Sequence, residues 1–194
     1  MSSHQPSHRE VQSKGHGEIA FSAEQEAEIV TIIAKYPTMR SAVMPLLWIA
    51  QRQWGWISHD VCRVVARRLE LPPSHVLTVA TFYTMFKKTP TGEYLLQVCH
   101  TLSCALAGAD DLIAHIEDKL GIKAGETTPD GKFSLMRVEC LASCGSGPMM
   151  QVNDDFYECL DDSRVDGILT AITDGVSLPT PRPEVDQWTH TPVS

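Results

Sequence analysis

The sequence predicts an α+β protein in which an N-terminal helical bundle precedes a small domain of mixed strands and helices. Three observations lead to this prediction. Apolar residues recur at helical spacing through the first part of the chain, and short strand-like segments begin near Tyr94. A turn-forming segment at Thr89–Gly92 separates the two patterns.

The helical bundle is predicted over residues 22–87, after a mobile N-terminus at 1–21. Ser22 and Gln25 form a capping-box pattern that begins the first helix, and Ser58 is placed to cap the third. We expect four helices, at about 22–36, 41–54, 58–69 and, capped by Ser74, from 74 toward Phe86. Six aromatic residues are expected to pack in this bundle: Trp48, Trp54, Trp56, Phe82, Tyr83 and Phe86.

The second domain is predicted over residues 88–178, with the element order β-α-β-β-β-α. We expect strands at about 94–98, 133–138, 149–152 and 156–159, a helix at 105–120, and a last helix capped by Asp162 and ending near Gly175. A helix on each face of such a small mixed sheet is the thioredoxin-like arrangement. An extended C-terminal arm is predicted over 179–194. Trp188 is expected to be an interface anchor, with a disordered arm or a Trp188 folded back on its own domain as the alternatives.

Four cysteines form two pairs, Cys99-x4-Cys104 and Cys140-x3-Cys144, with 35 residues between the pairs. Four converging thiolates suit one zinc ion or one iron–sulfur cluster. Structural zinc sites usually have closely spaced cysteines on tight knuckles, whereas a two-iron cluster separates its ligand pairs. The spacing favours a [2Fe–2S] cluster, with a zinc knuckle and redox disulfides as the alternatives.

Both pairs are predicted to lie where strands end, and this is where loops of an α/β sheet form binding sites. Cys104 is expected just before a helix, whose N-terminal N–H groups would then point toward an anionic cluster. Gly145 and Gly147 leave room for the backbone to approach inorganic sulfide and to donate hydrogen bonds.

Composition excludes several functions for this 194-residue protein. A net charge of −8 argues against nucleic acid or an anionic membrane as a partner. The longest apolar stretch, Ala42–Ala50, is nine residues and contains Pro45, well short of the roughly 20 residues that span a bilayer. No signal-peptide pattern is seen, so we expect a cytoplasmic protein in which six cysteines do not form a disulfide framework.

Other candidate residues are interpreted as structural. His100 directly follows Cys99, but a Rieske centre requires two histidine ligands in a different spacing. Cys62 and Cys159 are expected to be small, buried or half-buried packing residues. The sequence has no dinucleotide-binding glycine fingerprint and no phosphate loop, so we expect it to bind neither NADH nor FMN alone.

Several motifs together resemble one family: Thr81–Phe86, Leu96–Cys99 with the Cys104 spacing, Gly121–Phe133, Val138–Leu141 and Gln151–Asp155. They are similar to the thioredoxin-like [2Fe–2S] subunit of respiratory complex I, the NADH:quinone oxidoreductase. Close relatives of that subunit serve in NAD-linked hydrogenases and formate dehydrogenases. The resemblance covers about residues 22–175. It departs at Gly147, where the family commonly has alanine, and at His100, where a small or polar residue is usual.

The resemblance implies a function for the four cysteines. Cys99, Cys104, Cys140 and Cys144 would bind one [2Fe–2S] cluster, which accepts single electrons from FMN in a partner subunit that oxidises NADH. The implied partners are this flavin subunit and further iron–sulfur subunits of an oxidoreductase and translocase. The implied location is peripheral to the inner face of the membrane, as part of the complex, and none of the residues resembles a catalytic group.

Three other functions stay open from the residues alone. The same subunit role in a hydrogenase or formate dehydrogenase is one. A free-standing thioredoxin-like ferredoxin and a zinc-stapled adaptor without a redox role are the others.

Overall fold

The structure is a computed structural model that describes residues 19–180. The protein separates into two compact units between Thr91 and Gly92, a helical unit and an α/β unit. The predicted α+β class is therefore confirmed. The predictions for residues 1–18 and for most of the C-terminal arm, including Trp188, lie outside the described residues.

Within residues 19–91, the helical unit has four α-helices and one short 3₁₀ helix at Met39–Ala42. The α-helices are α1 (Ala23–Ile33), α2 (Val43–Trp54), α3 (His59–Arg68) and α4 (Pro73–Phe82). Ser22 and Ser58 cap α1 and α3 as the sequence predicted, since each side chain accepts from the backbone N–H three residues on. Gly55 ends α2 with a φ of 79°, which a residue without Cβ adopts readily.

The prediction for the fourth helix was wrong at both ends. Pro72 occupies the N-cap position and Pro73 the first helical turn, so Ser74 lies inside the helix. Proline suits this position because its missing N–H has no intrahelical partner there. The helix ends at Phe82 rather than continuing toward Phe86.

The core of the helical unit is built from the apolar faces of these helices, and Phe86 is fully buried in it. Trp56 is also buried, but Phe82 is 76% exposed, so the prediction that it packs in this core was wrong. Gln51 is a buried polar residue of this unit. Its amide donates to the Met85 carbonyl (3.1 Å) and accepts from the Lys87 N–H (2.7 Å), which fixes the segment after α4.

The α/β unit has a four-stranded sheet. Its elements, in sequence order, are β1 (Tyr94–Cys99), α5 (Leu102–Leu106), α6 (Ala109–Leu120), β2 (Phe133–Val138), β3 (Met150–Val152), β4 (Asp155–Tyr157) and α7 (Asp162–Asp174). The strand order is β2-β1-β3-β4, with β1 and β2 parallel and the other pairs antiparallel. Because β1 and β2 are parallel and pair along their full lengths, their C-terminal ends lie at the same edge of the sheet.

Three predictions for this unit need correction. Gly108 takes a φ of 97° and divides the predicted single helix into α5 and α6. The cap of α7 is Asp161, one residue before the predicted Asp162. The two long helices do not lie on opposite faces of the sheet. Both contribute to one core with the same sheet face, and Asp166 of α7 is hydrogen-bonded to His115 of α6 over 2.8 Å.

Among residues 19–180, no helix is both long enough and apolar enough to cross a membrane.

Candidate metal centre

The four predicted cysteines meet at the edge of the sheet where β1 and β2 end. Cys99 is the last residue of β1, and Cys140 follows the last residue of β2 by two positions. The His100 N–H donates to the Val138 carbonyl (3.1 Å), which connects the start of the loop after β1 to the end of β2. The structure thus brings both pairs to one place through the strand ends.

The thiols are arranged as an inner and an outer pair. Cys99 and Cys104 are buried, at 2% exposure each, and their side chains are hydrogen-bonded to one another. Cys140 and Cys144 lie on an exposed loop with their sulfur atoms 3.3 Å apart. Within the described part of the protein, no three His, Cys, Asp or Glu side chains are grouped so that they could hold one metal ion.

The surroundings of Cys104 differ from those the sequence predicted. Cys104 lies in the middle of the five-residue helix α5 rather than just before a helix. Ala109, the first residue of α6, is buried in the same small cluster as Cys104. Met149, from the segment that enters β3, is fully buried in this cluster as well.

Backbone and hydroxyl groups lie against the other sulfur atoms. The Ala142 N–H donates to Cys140 Sγ (3.3 Å), and Ala142 holds a φ of 68° that is uncommon for a residue with a Cβ. Thr101 Oγ1 lies 3.4 Å from Cys99 Sγ, and the backbone of Leu141 also bonds to Cys99. Donors aimed at sulfur stabilise the thiolate form, which is the form that binds metals.

The thiols influence one another's ionisation. Burial raises the pKa of Cys99, but hydrogen bonds with Thr101, Cys104 and Leu141 bring it below its usual value. Burial and the neighbouring Cys99 raise the pKa of Cys104 to about 11. The hydrogen bond with Cys140 and the negative charge of that residue raise the pKa of Cys144. Four thiolates at this spacing repel, and bound iron cations would offset that repulsion.

Gly147 lies directly against the inner pair. A Cβ at this position would be 3.2 Å from Cys104 Sγ, which is tighter than an ordinary contact, and 3.4 Å from Cys104 Cα. A Cβ at Gly145, two residues earlier in the same loop, would meet no atom within 4 Å. Of these two glycines, Gly147 therefore brings the backbone closer to the thiols. Hydrogen bonds from the two glycine amides to inorganic sulfide stay a prediction.

The other candidate residues, Cys62, Cys159 and His100, lie at positions that suit a structural role. Cys62 is buried in the core of the helical unit, where burial raises the pKa of its thiol to about 11, and Cys159 is half-buried. His100 has its Nε2 atom 3.9 Å from Glu139 Oε1 at the protein surface.

Some residues around the thiols were not found from the sequence. Thr101 was missed although a Thr before a short helix is a recognisable capping signal. Ser143 and Ser146 both donate to Glu158, which lies in the segment after β4. No sequence signal connects these residues, because the contact depends on how the loop folds back on the sheet.

The site fits a two-iron cluster. Thiolate sulfur is the ligand type that such clusters use, and the inner and outer pairs would each supply two sulfur ligands to one of two iron ions, so that neither iron would need a third protein ligand. Backbone donors to sulfur are the kind of outer-shell contact that orients and tunes such a cluster.

Comparison with known proteins identifies relatives that match both units. A family model described as thioredoxin-like [2Fe–2S] ferredoxin matches residues 29–173. A subunit of the NADH-quinone oxidoreductase of Rhizobium meliloti is 46% identical over 142 residues, which covers 73% of this protein and 84% of the relative. NADH-quinone oxidoreductase subunit 2 of Thermus thermophilus is 46% identical over 148 residues, covering 75% and 82%.

A solved structure shows the same fold at lower identity. The air-oxidised NAD⁺-reducing [NiFe]-hydrogenase matches with a TM-score of 0.60 and 20% identity, over 76% of this protein and 25% of the hydrogenase polypeptide.

Proposed function

Because this chain belongs to the thioredoxin-like [2Fe–2S] ferredoxin family, we propose that it is the electron-transfer subunit of an NADH dehydrogenase module. Relatives that match over most of their length are named as subunits of NADH-quinone oxidoreductase. The observation that carries the proposal is the convergence of two cysteine pairs at one sheet edge in a member of this family. When bound, a [2Fe–2S] cluster supplies one-electron uptake and release.

Cys99, Cys104, Cys140 and Cys144 are the proposed ligands. The inner pair is held by β1 and α5, both of which are anchored in the core of the α/β unit or beside it. The outer pair lies on an exposed loop. The protein therefore excludes water from one side of the site and leaves the other side open to a second protein, an arrangement that electron transfer between subunits requires.

The proposed electron donor is a partner subunit that binds FMN and NADH. Further iron–sulfur subunits of the same module are the proposed acceptors, and the assembled module would lie in the cytoplasm at the inner face of the membrane. We propose that the helical unit, predicted at residues 22–87, serves in docking. Its exposed Phe82, next to Tyr83 at a ring-centroid distance of 5.0 Å, is an apolar side chain that a partner could cover.

The experiment that tests this function compares the purified protein alone with the protein co-purified with its flavin subunit. NADH should bleach the visible absorption of the iron–sulfur protein when the flavin subunit is present and leave it unchanged when the protein is alone. A protein that never associates with a flavoprotein, but exchanges electrons freely with other carriers, would contradict the subunit role. It would indicate a free-standing ferredoxin instead. The composition of the native complex distinguishes an NADH dehydrogenase from a hydrogenase or formate dehydrogenase host.

A further inference from the structure

The loop that carries Cys140 and Cys144 is tied to the segment after β4 by one carboxylate. Ser143 Oγ and Ser146 Oγ both donate to Glu158 Oε1, the second over 2.9 Å. We propose that Glu158 is a positioning residue that fixes the loop around Cys144 and thereby retains the cluster. This inference rests on the proposed cluster site and assigns a function to a residue outside the four ligands.

The two serines are placed so that holding them fixes the ligand between them. Ser143 immediately precedes Cys144 and Ser146 follows it by two residues. Ser146 also closes the loop on itself, because its N–H donates to the Ser143 carbonyl (3.2 Å), while its single hydroxyl proton is directed to the shorter bond with Glu158 (2.9 Å). A single acceptor oxygen that bonds both hydroxyls therefore sets the distance between the two ends of the Cys144 turn.

The segment that carries Glu158 is itself anchored. The Cys159 N–H donates to the Ser146 carbonyl (2.8 Å) and the Leu160 N–H donates to the Pro148 carbonyl (2.9 Å). Leu160 is buried in the core of the α/β unit, and Tyr157 on the other side of Glu158 is 1% exposed. Glu158 thus connects an exposed loop to a backbone segment that is held in the core of the unit.

The hydrogen bonds also decide where the serine hydroxyl protons point. Hydroxyls that donate to Glu158 cannot at the same time donate to the neighbouring cysteine sulfur atoms. Because hydrogen bonds to sulfur help to set the reduction potential of an iron–sulfur cluster, the carboxylate influences the potential as well as the shape of the loop. Removal of Glu158 also takes a negative charge away from the loop that carries Cys144, which shifts the potential in the positive direction.

Four forms of the full-length, cluster-loaded protein test this proposal: wild type, Glu158→Ala, Glu158→Gln and Glu139→Ala. Glu139 is the matched control, since it lies beside Cys140 with an 80% exposed side chain and does not bond to either serine. The first measurement is the rate of cluster loss to an iron chelator, followed by visible absorbance. The second is the midpoint potential, from a redox titration monitored by electron paramagnetic resonance (EPR).

Glu158→Ala should lose its cluster about tenfold faster than wild type, since it removes two hydrogen bonds to a charged acceptor. Its midpoint potential should be more positive. Glu158→Gln keeps an acceptor oxygen and should recover most of the retention, and Glu139→Ala should match wild type. Equal rates and potentials in wild type and Glu158→Ala would overturn the proposal, as would an effect of Glu139→Ala as large as that of Glu158→Ala.

Two further measurements extend the test beyond the Glu158 variants and beyond the loaded protein. If Glu158→Ala does not fold, the double variant Ser143→Ala/Ser146→Ala removes the same bonds and should lose the cluster at the same accelerated rate; a wild-type rate would overturn the proposal.

Hydrogen–deuterium exchange of residues 140–147 in the metal-free protein tests the loop without any cluster. Exchange should be faster in Glu158→Gln than in Glu139→Ala, and fastest in the double variant. Equal exchange in all variants would refute the loop-holding role, whereas a wild-type protein that never binds a cluster would refute the proposed function instead.

Discussion

Replacing Gly147 with alanine tests how closely the protein backbone fits the inner thiols. The added Cβ would lie 3.2 Å from Cys104 Sγ, at least 0.2 Å inside the ordinary contact range. It would also lie 3.4 Å from Cys104 Cα, which is an ordinary van der Waals distance, so the tight contact is the one with Sγ. Either the loop or the Cys104 side chain must therefore shift by a few tenths of an ångström.

The magnitude follows from the size of this overlap. Overpacking a site by a methyl-sized group costs about 1–3 kcal/mol, and a deficit of a few tenths of an ångström belongs near 1 kcal/mol. Such a cost corresponds to a roughly fivefold faster loss of the cluster if it falls on the bound state. Gly147 does not have a positive φ, so the alanine adds no backbone strain to this figure.

Gly145→Ala is the matched control for this prediction. It lies in the same loop, also lacks a positive φ, and its Cβ would meet no atom within 4 Å. Both substitutions reduce the conformational entropy of the unfolded chain, so the comparison removes most of that contribution. The assay is the loss of visible absorbance after an iron chelator is added to each loaded protein. Equal rates for the two variants would refute the close fit at Gly147.

Three further predictions concern a proposed ligand, a buried amide and a paired carboxylate. Cys104→Ser should abolish or strongly alter the EPR signal of the reduced protein, whereas Cys62→Ala, in the core of the helical unit, should leave that signal unchanged; an unaltered signal in Cys104→Ser would refute its assignment as a ligand. Gln51→Leu should lower the free energy of unfolding by about 2–4 kcal/mol because it removes two buried hydrogen bonds. Gln53→Leu, on the same helix but bonded to groups near the surface, should cost less than about 1 kcal/mol, and equal losses in a denaturant titration would contradict this explanation. Hydrogen bonds from Lys119 and His115 hold the pKa of Asp166 below its usual value, so the stabilisation is present at neutral pH and is lost as the pH falls through the folded-state pKa. The stability difference between wild type and Asp166→Asn should therefore shrink below about pH 4, and a difference that is constant with pH would show that the carboxylate charge does not contribute.

Local signals in the sequence predicted most of the elements that build the site. Ser22 and Ser58 cap helices because their short side chains reach the free N–H groups of the first turn, and this contact depends only on neighbouring residues. The β1 strand that ends at Cys99 was likewise predicted from neighbouring residues in the sequence. The placement of both cysteine pairs after strands, together with parallel pairing of β1 and β2, was enough to bring the pairs to one edge of the sheet.

The errors concern features that depend on tertiary structure or on a choice between adjacent signals. The apolar pattern predicted one continuous helix through Gly108, but the positive φ of this glycine turns the backbone and leaves Cys104 in a separate short helix, α5. The placement of both long helices on one face follows from long-range packing, which periodicity does not specify. The contact between Glu158 and the cysteine loop joins residues 12 and 15 positions apart across a turn, and no local pattern marks it.

The most direct test of the proposed cluster site is the iron and sulfide content of the purified protein, measured with its EPR spectrum after reduction. We expect about two iron ions and two sulfide ions per polypeptide, a brown colour, and the signal of a reduced [2Fe–2S] cluster. A colourless protein that contains zinc in place of iron, or iron without inorganic sulfide, would contradict the assignment of the four cysteines to an electron-transfer cluster.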